Sequence, residues 1–303
     1  MLAACAHGAE AQPTIPPDIV MQGERLFPES ITSAADGTLY IGSNPGIVFR
    51  AAPGSATATP WIVPDEANGL ATVFGVLADE PRGLLWVCSN PAMGTPGGAP
   101  QIKTFRLSDG ALAATYPLNV EGPAMCNDMT VAANGEVYAT ETLGGRILKL
   151  ANGGAAFESW AVDPEFASID GISFSSDGTL YANAIQRNTL LRIGIEDNGL
   201  FDNVEVMQTS RPLQGPDGLR ALADGRMLQS EGNGGVITVL TIPETGPVIF
   251  QTIASGIDYA SSVTAVNGRA FYPEGKLRFL FGPAAGEDPG PFVIRSVAIP
   301  EAE

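Results

Sequence analysis

Apolar residues along the chain fall into short alternating runs, broken every few positions by glycine, proline and Asp-Gly or Asn-Gly pairs. That is the pattern of strands joined by turns rather than of helices. One unit recurs: an apolar run, a turn ending in glycine, and a second apolar run with an aromatic residue. Its copies read PESITSAADGTLYIGS, FGVLADEPRGLLWVCS, CNDMTVAANGEVYATE, IDGISFSSDGTLYANA, PDGLRALADGRMLQSE and YASSVTAVNGRAFYPE. The turn glycines, Gly37, Gly83, Gly135, Gly178, Gly225 and Gly268, lie 46, 52, 43, 47 and 43 residues apart. Five copies carry an aromatic three positions later, Tyr40, Trp86, Tyr138, Tyr181 and Phe271, and the other has Leu228. Asp-Gly and Asn-Gly between apolar runs predict tight two-residue turns, which need positive φ. A period of this size with several strands per unit matches the blades of a propeller.

Six copies therefore predict an all-β fold: a six-bladed β-propeller with four-stranded antiparallel blades around a central channel. It forms one domain over residues 19–300 behind a tail of residues 1–18. Closure is expected from a strand within residues 19–27 pairing with the last blade, whose outer strand spans residues 292–299.

Eight positions before the turn glycines stand Glu29, Gly75, Asn127, Asp170, Asp217 and Ala260, in copies one to six. A shared register sets these side chains at one height around the axis. Three carboxylates and an amide converging there form a donor set for one hard divalent cation, Ca²⁺ first, with Mn²⁺ or Mg²⁺ as alternatives. Crowded carboxylates without a cation would take up protons instead. At any single position an Asp or Asn serving nearby backbone donors is the structural alternative.

Fourteen residues past that register a second ring on the same face reads Ser43, Ser89, Glu141, Ala184, Glu231 and Glu274. Its glutamates either serve substrate, as acid, base or anchor, or pair with arginines and backbone. A Gly- and Pro-rich stretch in copy two, residues 91–101, belongs to the same face as a lid or a surface insertion.

Charge and composition narrow the chemistry. A dispersed net charge of −17 repels nucleic acid and anionic membranes, and no apolar run reaches membrane-spanning length. The sole histidine, His7, lies in the tail, which excludes Ser-His-Asp and Cys-His machinery and histidine-ligated zinc in the body. Cys88 and Cys126 read as buried small apolar residues, with no disulfide framework around them. Leu2-Ala3-Ala4-Cys5 looks like a lipobox and Ala9-Glu10-Ala11 like an alternative cleavage site. An exported protein, periplasmic or lipid-anchored to the bacterial envelope at Cys5, is the expectation; a flexible Ala-rich tail is the alternative.

The Pro-Glu opening of copy one, Asn127-Asp128, Asp170-Gly171 and Pro216-Asp217-Gly218 resemble the SMP-30/gluconolactonase family across residues 26–290. The resemblance implies a six-bladed propeller with one catalytic divalent metal on its axis and lactone hydrolysis. Glu29, Asn127 and Asp217 would be metal ligands, with Asp217 also the candidate base and Glu141 or Glu231 its rivals. Asp170 stands where the family usually has asparagine. Met125, beside Cys126, stands where sugar-lactone hydrolases of the group often place an arginine, so a less polar lactone or ester is expected. Met125, Cys126 and Glu274 are expected to face it. Two alternatives remain: a metal-free strictosidine-synthase-like enzyme using Glu274, and a non-catalytic binding propeller with structural calcium.

Overall fold

A computed structural model describes residues 18–92 and 98–302. The fold is all-β: among the described residues there are twenty-four strands and three 3-10 turns, and no α-helix. No helix is long and apolar enough to cross a membrane. The strands form two eight-stranded and two four-stranded sheets. Within them the chain runs back and forth in antiparallel sets of four, one set per sequence repeat. Each eight-stranded sheet is two such sets joined by a short parallel pair, Val20–Met21 with Thr57–Ala58 and Phe157–Glu158 with Leu118–Asn119.

The repeat fixes the local structure as its residues dictate. In copy one the Ala34 amide donates to the Thr38 carbonyl at 2.8 Å and the Gly37 amide to the Ala34 carbonyl at 2.9 Å. The connection therefore holds three residues rather than the expected two, with Gly37 at φ 94° in the left-handed position that glycine takes without strain. The Asp before it is an Asx cap: Asp36 Oδ1 accepts from the Thr38 amide at 2.8 Å. Only copy six has a two-residue turn, Asn267-Gly268 between Val266 and Arg269.

Aromatics three past the glycine pack each repeat on the next. Tyr40 joins Val76 and Leu85, Trp86 joins Met129 and Phe157, Tyr138 joins Ile172 and Leu180, and Tyr181 joins Leu219 and Met227. Leu228 does the same with Val263 and Ala270. A further cluster joins Phe292 and Ile294 of the last repeat to Phe27, Ile31 and Phe49 of the first, so the cores form a closed cycle. The N-terminal strand Ile19–Met21 pairs antiparallel with Val293–Ala298, Ile19 opposite Ile294, as the sequence led us to expect.

The first strands of successive repeats meet through side chains rather than backbone pairing. Val76 N donates to Ser30 Oγ, Ala78 N to Thr32 Oγ1, Phe174 N to Thr130 Oγ1, Ala221 N to Ser173 Oγ and Ile31 N to Ser262 Oγ, at 3.1–3.3 Å. Hydroxyls thus satisfy backbone donors that an unpaired strand edge would leave open. Cys88 and Cys126 correct another expectation. They are joined as a disulfide that ties the second repeat to the third, with Cα atoms 5.5 Å apart.

Candidate functional site

Five of the six first strands break their ladder at the same place. The pairing register shifts between Pro28 and Ser30, Val73 and Val76, Cys126 and Met129, Ile169 and Ile172, and Pro216 and Leu219. Bulges re-aim side chains and recur beside functional sites. Here they hold Glu29, Phe74-Gly75, Asn127-Asp128, Asp170-Gly171 and Asp217-Gly218. The second bulge residue is glycine where the next repeat abuts it: a Cβ on Gly75 would lie 2.2 Å from the Asn127 carbonyl oxygen, and one on Gly171 the same distance from that of Asp217.

Pairing also corrects the ring in two copies. The residue three past the turn glycine faces one eight positions earlier in four repeats (Thr32–Tyr40, Thr130–Tyr138, Ser173–Tyr181, Arg220–Leu228), but nine earlier in copy two and seven in copy six (Leu77–Trp86, Thr264–Phe271). The equivalents of Glu29 are therefore Phe74 and Ser261, not Gly75 and Ala260.

Asn127, Asp170 and Asp217 are buried and Glu29 is partly exposed. Asn127 Nδ2 donates to Asp170 Oδ2 at 2.8 Å and to Thr142 Oγ1 at 3.2 Å, and Thr142 Oγ1 donates to the Ile169 carbonyl at 2.7 Å. Burial pushes Glu29 up to about 7. It raises Asp170 well above the carboxylate range, with Glu29 and Asp128 adding to it and hydrogen bonds to Asp217 and Asn127 opposing it. Asp217 rises likewise, first by burial and then through Asp170, Glu29 and Asp128, against the Tyr259 hydroxyl. Carboxylates set near one another raise each other in this way.

Three residues that sequence reasoning missed complete it. Tyr259, with its hydroxyl in reach of Asp217, sits at φ 65°, a conformation bulky residues rarely take and one that clusters at functional sites. Asn183 Nδ2 donates to the Asp217 carbonyl at 2.8 Å. Arg220 grips Asp128 with two bonds, of 2.6 and 2.9 Å. Only the positive φ would have betrayed Tyr259, and nothing in the pattern of its neighbours encodes that.

The second ring is engaged in structural bonds. Glu141 is fully buried and accepts from the amides of Met125, Leu143 and Gly144, each at 2.9 Å, and from Arg146 Nε at 2.7 Å. Glu231 accepts from the Gln214 amide at 2.8 Å and from Arg211. Both carboxylates fasten the loop before a first strand, which removes them as candidates for the base. Glu274 is paired with Arg295 at 3.2 Å. Cys126 is 0% exposed and bonded to Cys88, so it does not face a substrate. Met125 is partly exposed and lines a cavity beside the ring. Cys5 lies outside the described residues.

Among the described residues no three His, Cys, Asp or Glu side chains are gathered tightly enough to hold a metal ion as they stand. The donor chemistry fits one nonetheless. The ring offers oxygen donors only, and its like charges are relieved by protons where no cation neutralises them.

No protein-family model and no curated protein matches the sequence. Solved structures do. A gluconolactonase from Xanthomonas campestris matches with TM-score 0.67 at 17% identity, over 96% of this chain and 99% of that one. A luciferin-regenerating enzyme matches with TM-score 0.69 at 14% identity, over 93% and 95%. A virginiamycin B lyase from Staphylococcus aureus matches with TM-score 0.60 at 17% identity, over 85% and 80%. The chain has the fold of the lactonase-like propellers.

Proposed function

We propose that the protein is a metal-dependent hydrolase of a lactone or related ester, built on six four-stranded blades around one axis. The observation that carries this reading is the set of four bulges that hold Glu29, Asn127, Asp170 and Asp217, in which the three carboxylates crowd one another and Asn127 donates to Asp170. Enzymes with different names share the fold, so the site and not the fold decides. Glu29, Asn127, Asp170 and Asp217 would hold one divalent cation, Ca²⁺ before Mn²⁺ or Mg²⁺. When bound, such a cation polarises a carbonyl and stabilises the charge that develops on its oxygen.

Asp217 is the base. Its backbone is fixed by Asn183 and its carboxylate is met by the Tyr259 hydroxyl, so it can take a proton from water at a set position. The Tyr259 hydroxyl then restrains the carboxylate. Glu274 is committed to Arg295, so no observation favours a synthase-like use of it. The Cys88–Cys126 bond supports export to an oxidising compartment, in keeping with the Leu2-Ala3-Ala4-Cys5 signal.

The test is to strip the protein with chelator and titrate Ca²⁺, Mn²⁺ and Mg²⁺ back by calorimetry, then to assay a lactone and ester panel. One site per chain, and turnover lost in Asp217→Ala, is the expected result. Full activity in Asp217→Ala, or no cation binding, would refute it.

A further inference from the structure

Beside the axial cluster, on the same face, lies a cavity of about 490 Å³, within the range of small-molecule sites. Its wall includes Phe74, Leu118, Val120, Met125 and Leu143, together with Pro91 and Pro100; among the described residues Thr72 and Asn90 are its polar side chains and none of those lining it is charged. In a chain of net charge −17 such a wall is a local exception.

The cavity adjoins the ring through three contacts. Phe74 is the copy-two member of the ring, in the bulge whose Gly75 lies against the Asn127 carbonyl. Met125 stands two residues before Asn127, and Asn90 clamps the intervening Cys126 through its amide and carbonyl at 3.0 and 2.8 Å. Leu143 follows Thr142, whose hydroxyl accepts from Asn127. Four ring positions thus present a carboxylate or an amide, and the copy between Glu29 and Asn127 presents an aromatic face opening on an apolar chamber.

We infer that this cavity receives the hydrocarbon part of the substrate, so that the enzyme selects alkyl- or acyl-substituted lactones and esters over polyhydroxylated ones. The assignment rests on the hydrolase reading for the place of the carbonyl. A sugar-acid lactone would strip water from several hydroxyls against this wall with too few partners to replace it, whereas an alkyl chain gains from burial.

The test uses two matched series with linear side chains of increasing length: γ-lactams, which report affinity by calorimetry without turnover, and γ-lactones, which report kcat/KM. Lactam affinity and lactone kcat/KM are expected to rise about two- to fourfold per added methylene until the cavity is filled. Leu143→Asp, at an exposed position that leaves folding intact, and Phe74→Leu should each flatten that slope, and gluconolactone should be turned over more slowly than a γ-lactone of equal size. A flat slope in the wild-type protein, or an undiminished slope in both variants, overturns the inference. Turnover of unsubstituted γ-butyrolactone with no chain-length dependence overturns it while leaving the hydrolase reading standing. A steep lactam slope with no lactone turned over supports the cavity and removes the hydrolase reading.

Discussion

Gly171→Ala separates site geometry from stability. A Cβ at Gly171 would lie 2.2 Å from the Asp217 carbonyl oxygen, 2.8 Å from Leu219 N and 3.0 Å from Gly218 C. Ordinary contact needs roughly a further 1 Å, and all three atoms are backbone, so the Asp217 bulge must move by about that distance. Overpacking of this kind costs about 1–3 kcal/mol of stability. A displacement of about 1 Å at a reacting group costs on the order of 100-fold in rate. Gly178→Ala is the control. Nothing lies within 4 Å of its added Cβ, but its φ of 86° makes alanine strained by about 1–2 kcal/mol. Urea unfolding should find both variants destabilised by similar amounts. Calorimetry and kcat/KM on the best lactone should find cation affinity and activity lost only in Gly171→Ala. Wild-type kcat/KM and cation affinity in Gly171→Ala would refute the reasoning.

Glu141→Gln breaks a buried pair with Arg146 and should cost about 3 kcal/mol in urea unfolding, with kcat of the folded protein unchanged; a collapse of kcat would restore Glu141 as a base. Reduction of Cys88–Cys126, which are 38 residues apart in sequence, should lower unfolding free energy by about 2–4 kcal/mol, and an unchanged urea midpoint would count against the bond. In chelator-treated protein the folded state holds protons on Glu29, Asp170 and Asp217 that the unfolded state releases. The contribution of Glu29 is therefore fullest below its ordinary value of 4.5 and is lost as pH rises through about 7. Glu29 alone contributes up to about 3 kcal/mol, less what solvent screens at a partly exposed residue. Saturating Ca²⁺ should flatten this profile, and a flat profile without cation would refute the crowding.

The strand pattern, the six repeats and the closing N-terminal strand were legible in the sequence because alternation, turn glycines and the following aromatics each have a local cause. Four members of the ring were legible for the same reason. Phe74 and Ser261 were not, since counting from the glycine assumes turns of one length. Copy two holds an added 3-10 turn at Glu80–Arg82, and copy six closes in two residues. The roles of Glu141 and Glu231 were ambiguous in sequence, because a carboxylate in a mouth and one fastening a loop differ only in the arginine and amides that reach it. Cys88 and Cys126 lie in different repeats, and only the packing of one repeat on the next brings them together.

The strand Ile19–Met21 lies between the Thr57–Ile62 strand and the Val293–Ala298 strand. Ile19 stands opposite Ile294, far later in the chain, so that pairing waits until the later strand has been made. Until then the nascent chain carries bare strand edges at both ends of its sheet array, the condition in which chains stick to one another. The contact that closes the ring also spans nearly the whole sequence, which sets a slow final step and makes a chain truncated before residue 292 unable to take it.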